Sequence, residues 1–391
     1  GLLLIWILPY LGSAWCALIA LISMLVAFGG SWLLFTEQNA LVDPVYFALV
    51  ILLAYLAQSL RMYLSSEQER KTVRDAFGRY LSPALVEQLA EEPDRLTLGG
   101  EMREMSILFC DIRGFTAVSE RHSPEDLTRL INRFLTPLTQ VILDRSGTID
   151  KYMGDCIMAF WNAPVDVPDH ALKACQSALA MMNALEQLNN ELSEEAAKSF
   201  ALQKNETGGG ISLHRGKLHG TTTELLRVGV GINTGTACVG NLGSEQRFDY
   251  SALGDSVNLA SRLEGQSKTY GVDILLAEET YAAANQLAAV ELDLVQVVGK
   301  TEPVRIFALI GDETVKDSTG FDRLTRLQND MLGAYRERQW DNALEIIRQL
   351  RNDAAAISMT RYYDMFDERV TEFRATPPDS DWDGVERRLV K

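Results

Sequence analysis

The chain opens on apolar residues: no charged side chain occurs from Gly1 to Thr36. Residues 14–35 form a run long enough to cross a bilayer, which takes ~20 residues. Residues 1–8 read as the tail of an earlier, truncated crossing that turns at Pro9-Tyr10-Leu11-Gly12. A further crossing is predicted over 44–60, extended by Met62-Tyr63-Leu64 if Arg61 snorkels. Uncharged runs of this length argue against a pair of buried core helices. The short loop between them carries Glu37 and Asp43 and no base, whereas Arg61, Arg70, Lys71, Arg74 and Arg79 follow the last crossing. By the positive-inside rule the sequence predicts a multi-pass protein of the inner membrane with everything after residue 64 in the cytoplasm. Because the first residue is a Gly inside an apolar run, more chain is expected upstream, including room for an extracytoplasmic sensor.

Residues 65–96 read as a helical, signal-transducing linker. Leu64, Val73, Phe77, Tyr80, Leu81, Leu85 and Leu89 form an imperfect stripe broken near Ser82-Pro83. A parallel coiled coil and an amphipathic helix lying on its own domain both fit this pattern.

From 97 to 312 strands and helices alternate. A short apolar run over 105–110 ends at Asp111. Ser123-Pro124-Glu125 opens a helix with Leu127, Leu130, Ile131, Phe134, Leu135 and Leu138 on one face. Strands over 148–153 and 156–161 flank Gly154-Asp155, a hairpin signal. A helix capped by Asp169 runs to about Leu192. A strand over 226–233 continues as 237–240 beyond a turn at Thr234-Gly235. A helix over 257–264, a strand over 273–276 and a hairpin of 292–298 with 304–309 complete the domain. This order predicts an α/β (α+β) class, a ferredoxin-like βαββαβ domain with additions. Residues 193–224 interrupt it. Gly208-Gly209-Gly210 there lacks a preceding strand and a following Lys-Ser/Thr, so a flexible insertion is preferred to a phosphate loop. Residues 313–391 are helical again. Leu327, Met331, Ala334, Tyr335, Trp340, Ala343, Leu344, Ile347 and Leu350 suggest one tetratricopeptide-like helix pair, which must dock on this domain or a second copy because one unit cannot bury its own face.

Composition narrows the partners. A length of 391 residues suits two or three domains, and a formal net charge of −16 argues against a nucleic-acid partner. It does not exclude ATP, whose phosphates are met by metal ions and local donors. The five cysteines, Cys16, Cys110, Cys156, Cys175 and Cys238, are odd in number and contain no C-x-x-C pair, against a disulfide framework or zinc site.

Chemistry gathers at a few positions. Asp111 ends a strand and Asp155 sits at a hairpin tip. Two carboxylates on neighbouring strand ends suit Mg²⁺, a hard cation that prefers oxygen, although either Asp alone would be an ordinary turn or cap residue. Gly114 permits a tight turn in which the N–H groups of Ile112 to Thr116, Phe115 included, would point outward at a phosphate chain. Asn258 and Arg262, four apart, share a helix face. The Arg fork suits a phosphoryl group and the Asn can orient a ribose oxygen; taken alone, the pair would be a solvated polar face.

Asp111-Ile112-Arg113-Gly114-Phe115, Lys151-Tyr152-Met153-Gly154-Asp155 and the run from Phe248 to Arg262 (FDYSALGDSVNLASR) together resemble the class III nucleotidyl cyclase family, in the right order from about residue 99 to 309. The resemblance implies an adenylate cyclase, forming 3′,5′-cyclic AMP and pyrophosphate from ATP with two Mg²⁺ ions per site (Mn²⁺ substituting) at the interface of a homodimer. It implies that Asp111 and Asp155, with the Ile112 backbone, hold the metals. Lys151 and Ser251 would read adenine, Asn258 would orient the ribose, and Arg262 would stabilise the transition state. Many members carry Lys before the glycine of the last hairpin; here that position is Val298, and Lys300 is assigned to the terminal phosphates in its stead. Two rivals stand beside this reading. A guanylate cyclase in this family has an acid at the Lys151 position and often Cys at that of Ser251. A silent nucleotide-binding receptor would lack one of the six site residues, and none is missing.

Overall fold

The structure is a computed structural model, in which residues 13–39, 43–57, 59–61, 86, 99–206, 225–244, 246–296, 302–353 and 358–387 are described. It divides into two units, Gly1–Pro93 and Asp94–Lys391.

In the first unit α1 (Ser13–Gln38) carries its large side chains outward, Leu25, Val26 and Trp32 being strongly exposed. Within it Leu18–Glu37 is long and apolar enough to cross a membrane. The expected second crossing folds as a shorter apolar helix, α2 (Val45–Arg61). Among the described residues one helix therefore reaches spanning length, and the multi-pass expectation is reduced to that one. Residues 1–8 and, apart from Val86, the 65–96 linker lie outside the described residues.

The second unit is built on a nine-stranded sheet of order β2-β3-β1-β4-β6-β8-β7-β9, with β5 added to β4. Its strands are β1 (Gly99–Ile112), β2 (Thr148–Met153), β3 (Cys156–Trp161), β4 (Val228–Ser244), β5 (Arg247–Leu253), β6 (Ile274–Ala277), β7 (Ala288–Gln296), β8 (Val304–Gly311) and β9 (Glu386–Arg387). The helices are α3 (Phe115–Ser119), α4 (Pro124–Asp144), α5 (His170–Glu206), α6 (Asp255–Tyr270), α7 (Glu278–Ala283), α8 (Glu313–Lys316), α9 (Thr319–Arg336), α10 (Trp340–Arg351) and α11 (Thr360–Ala375). This is the expected α+β domain with helical additions.

Strand β1 is covered on both faces, which is why its sequence reads as a continuous apolar run rather than an alternation. Leu108, Cys110 and Ile112 pack with Phe134, Leu138 and Ile142 of α4 and Ala174, Cys175 and Ala178 of α5. Met105, Ile107 and Phe109 pack with Met158 and Phe160 of β3 and Val257 and Ala260 of α6 on the other face. Ser123 caps α4 by accepting the Asp126 N–H at 3.1 Å, as its sequence predicts. Helix α6 lies very close to β4: a Cβ on Gly231 would strike Glu264 N and Ala260 O, so glycine there sets the height of the helix that carries Asn258 and Arg262.

Two expectations are corrected. The turn at Thr234-Gly235 does not form. Strand β4 runs through it, pairing Thr234 with Ser106 and Gly235 with Met105, while the Ser256 hydroxyl occupies the space beside Gly235. Helix α5 continues to Glu206, past its expected end near Leu192, and Arg133 of α4 pairs with Glu191 and Glu195 on either side of that point. Of the expected insertion, 207–224 lies outside the described residues. The C-terminal helices dock on the sheet of their own chain. Phe321, Leu324, Met331, Tyr335 and Phe366 share one core with Leu292 and Val295 of β7, Ile306 of β8 and Tyr270 at the end of α6.

Candidate active site

Strand β1 delivers Asp111 to the edge of the α6 face. Asp111 pairs with Gly229 on β4, and a Cβ on Gly229 would meet Glu264 and Ser267 of α6. The β2–β3 hairpin turns through Gly154 at φ 70° and brings Asp155 beside it. The Asp155 Oδ2 accepts the Ile112 N–H at 3.3 Å, and the two carboxyls face each other within hydrogen-bonding reach. Burial first, and then Asp111, push the Asp155 carboxyl up to about 7. Asp111 Oδ1 is buried with no hydrogen-bond partner. Glu264 looks onto the same pair. Burial and the Asp111 charge raise it to about 7, with Arg113 opposing them.

Arg113 turns away from this corner. It donates to Ser267 Oγ at 3.4 Å and to the Val272 carbonyl, and pairs with Asp273 at 3.4 Å. The loop after Asp111 is thereby pinned to the far end of α6. Gly114, at φ 72°, then starts the five-residue helix α3. The expectation that all the N–H groups from Ile112 to Thr116 point outward is corrected: Ile112 donates to Asp155, and Arg113 to the Arg227 carbonyl at 2.8 Å. Gly114 and Thr116 follow at the surface, where a Cβ on Gly114 would meet nothing, while Phe115 between them is half-buried against the core. Cys110 and Cys156 flank the carboxylates, but burial drives both thiols up, Cys156 to about 12, so neither is a ready nucleophile.

A second cluster lies at the other end of the hairpin. Lys151 pairs with Met158, and Met158 with Phe109, on the face covered by α6. Between Ile149 and Lys151 the β2–β3 ladder slips by one residue, and Asp150 is the extra residue. Its fully buried side chain reaches β5, where Oδ2 accepts the Ser251 hydroxyl at 2.7 Å and the Ala252 N–H at 3.3 Å. Its Oδ1 faces Lys151 Nζ at 3.3 Å in an ion pair without hydrogen-bond geometry. The structure thus brings Lys151 and Ser251 together through a residue to which sequence reasoning assigned no role.

On α6 Asn258 is exposed and Arg262 half-buried, one turn apart on one face, as expected. Arg262 Nη1 is buried with no hydrogen-bond partner. Lys300 and Val298 fall within 297–301, outside the described residues. Glu264 was legible only as part of the Arg262-Leu263-Glu264 run; its nearness to Asp111 depends on how closely α6 approaches β4.

The donor set fits a divalent cation. A buried carboxylate oxygen without a partner, beside a second carboxylate whose ionisation its neighbour opposes, is relieved by positive charge between them. Among the described residues no three His, Cys, Asp or Glu side chains cluster as a complete ligand set. Any cation here would therefore complete its coordination with other oxygens.

The chain belongs to the family described as the adenylate and guanylate cyclase catalytic domain, which matches residues 100–311. Among individual proteins it is similar to an adenylate cyclase of Anabaena cylindrica, 32% identical over 256 residues, 64% of this chain and 45% of the relative. It is also similar to adenylate cyclase 1 of Rhizobium meliloti (strain 1021), 31% identical over 242 residues, 61% of this chain and 32% of the relative. The chain thus spans less than half the length of these curated relatives. Among solved structures, the adenylyl cyclase CyaB from P. aeruginosa is 31% identical with a TM-score of 0.44, covering 55% of this chain and 97% of that one. The guanylyl cyclase Cya2 is 32% identical with a TM-score of 0.43, covering 55% and 95%.

Proposed function

We propose that this chain is an adenylate cyclase, a phosphorus–oxygen lyase that closes ATP to 3′,5′-cyclic AMP with release of pyrophosphate, at sites shared between two copies. The observation that carries the reading is the buried Asp111–Asp155 pair, with its unpartnered oxygen and opposed ionisation, in a chain of the cyclase family. These residues, with the Ile112 backbone, would hold two Mg²⁺ ions, or Mn²⁺ in their place. When bound, the cations lower the pKa of the ribose 3′-hydroxyl and neutralise phosphate charge.

The rest falls to the chain. The 3′-oxygen attacks the α-phosphorus, the bond to the bridging oxygen breaks, pyrophosphate leaves and the hydroxyl proton passes to water. Arg262, with a buried donor lacking a protein partner, binds charge that grows on the α-phosphoryl oxygens. Asn258 orients the ribose. Gly114, Phe115 and Thr116 line the phosphate path, and Lys300 is assigned to its terminal end. Lys151 donates to adenine N1 and Ser251 accepts from N6. Guanine presents N1–H at the first position, and an ammonium has no lone pair to accept it, which favours ATP over GTP.

Exposed Met102 and Leu253, both paired with Cys238 of β4, give a second copy an apolar surface to cover. Leu18–Glu37 would anchor the assembly in membrane lipid with the cyclase in the cytoplasm, downstream of a sensor, as one step of signal transduction. The test is incubation of the purified chain with Mg²⁺ or Mn²⁺ and either ATP or GTP. Cyclic AMP and pyrophosphate in equal amounts are expected. Absence of any cyclic product, or equal turnover of the two nucleotides, would overturn the reading.

A further inference from the structure

We infer that Asp150 sets the base selectivity of this site by fixing the hydrogen-bond polarity of Ser251 and the position of Lys151. The inference rests on the adenine reading above and supplies its physical cause.

A serine hydroxyl has one proton and two lone pairs, and by itself it is ambiguous. It can accept from the N6 amine of adenine or donate to O6 of guanine, so Ser251 alone cannot tell one purine from the other. The structure removes the ambiguity. The Ser251 hydroxyl donates to Asp150 Oδ2 at 2.7 Å. The reverse direction is disfavoured, because the same Oδ2 already accepts the Ala252 N–H at 3.3 Å and the neighbouring Oδ1 faces the Lys151 ammonium at 3.3 Å. Burial pushes the Asp150 carboxyl up, and the Ser251 hydroxyl, the Lys151 ammonium and the Ala252 N–H oppose that shift. With donors directed at both of its oxygens, Asp150 is the acceptor of the Ser251 contact. With its proton directed inward, Ser251 can offer a ligand only lone pairs. It then matches N6–H₂ and repels O6.

Asp150 acts on Lys151 as well. Strand alternation would send residues 150 and 151 to opposite faces. The slip in register between Ile149 and Lys151 cancels that, so both side chains serve one corner. The ion pair restrains an ammonium that is otherwise 41% exposed on a flexible stem. One fully buried carboxylate thereby bridges β2 to β5, two strands that are not neighbours in the sheet, and orients both base-reading groups. Asp150 is a positioning residue; it need not touch the nucleotide.

The test uses the whole chain with Mn²⁺ and three substrates: ATP, GTP and purine riboside 5′-triphosphate, which lacks the N6 amine. Wild type should prefer ATP to both; if it does not, the adenine reading itself fails, whatever Asp150 does. Given that preference, Asp150→Asn should lower the ATP-to-GTP ratio of kcat/KM by at least ~10-fold, because its amide N–H₂ can donate to Ser251 and free the hydroxyl proton to point outward. A purely structural role would lower both nucleotides together and leave the ratio alone. Ser251→Ala decides the matter independently should Asp150→Asn not fold. It should cost ATP ~10-fold, leave purine riboside triphosphate unchanged and raise GTP if anything, since an acceptor that matches N6–H₂ and repels O6 has been removed. Adding Asp150→Asn to Ser251→Ala should give no further loss of discrimination between ATP and purine riboside triphosphate. An unchanged ATP-to-GTP ratio in folded Asp150→Asn, or equal losses on ATP and purine riboside triphosphate in Ser251→Ala, would overturn the inference.

Discussion

The Arg369 guanidinium meets the Asp293 carboxylate at 2.7 Å, and both side chains are almost wholly shielded from water. The same Asp293 oxygen accepts the Tyr270 hydroxyl at 2.7 Å. Arg369 belongs to α11, Asp293 to β7, and Tyr270 is the last residue of α6, the helix that carries Asn258 and Arg262. The C-terminal helices are therefore fastened to the base of the helix proposed to bind the α-phosphoryl group.

Removing one member of a buried ion pair leaves the other charged and unpaired, typically at a cost of ~3–5 kcal/mol. Arg369→Leu should lower the unfolding free energy by about that amount in urea titrations. Turnover should fall with it, because Asp293, which holds the last residue of α6, loses its counter-ion. A variant as stable as wild type would show that the latch does not hold the helix.

The carboxylate pair should be needed for turnover and costly to the metal-free fold. Asp111→Ala and Asp155→Ala should each lower kcat by at least ~10²-fold at millimolar Mg²⁺. Asp155→Asn, which keeps the shape and removes the opposing charge, should raise the thermal midpoint of the metal-free chain while abolishing turnover. Near-normal activity in any of the three would refute the metal role.

The same groups set a pH dependence. Asp155 and Glu264 hold their protons to about 7 in the folded chain, against ~3.9 and ~4.3 when unfolded. Between those limits the folded state binds more protons than the unfolded state. Their contribution to stability is complete below ~4 and is lost as pH rises towards about 7. The thermal midpoint of metal-free protein should contain a component that falls across that window and is diminished in Asp155→Asn. Asp383 acts separately, at lower pH, because its ion pair with Arg387 holds its carboxyl near 2. A wild-type slope identical to that of the variant would contradict the assignment.

How much of this could be read beforehand depended on whether a residue acts through its neighbours in sequence. Asp111 and Asp155 stand at a strand end and a hairpin tip, and the turn residues beside them mark those places, whereas Lys151 lies within β2 and only the resemblance singles it out. Helical spacing puts Asn258 and Arg262 on one face, but only the family resemblance separates them from a solvated polar face. Thr234-Gly235 misled because a Thr-Gly pair is an ordinary turn signal, whereas the unbroken pairing with β1 carries the strand through and the Ser256 hydroxyl packs where a side chain at 235 would be. Asp150 was invisible for the opposite reason. Regular alternation hides it behind Lys151, and the slipped register that exposes it belongs to the pairing of two strands rather than to either one. The C-terminal helices were readable as helices, but their dock depends on Arg369 finding Asp293 from 76 positions away.

Base choice should move with the two residues assigned to read the base. The double change Lys151→Glu with Ser251→Cys replaces a donor by an acceptor opposite the N1 position and should shift preference from ATP towards GTP. The readout is the ratio of kcat/KM for the two nucleotides. An unchanged ratio would remove these two residues from base recognition.

The central claim is that each site is shared between two chains, one giving Asp111 and Asp155 and the other Lys151, Ser251, Asn258 and Arg262. Mixing Asp111→Ala chains with Arg262→Ala chains, each inactive alone, tests it most directly. A mixed dimer would hold one intact site and one doubly damaged site. Activity should return to about half of normal per mixed dimer, or about a quarter overall when random exchange makes half the dimers mixed. If mixed dimers form and no activity returns, each site lies within a single chain and the shared-site account is wrong.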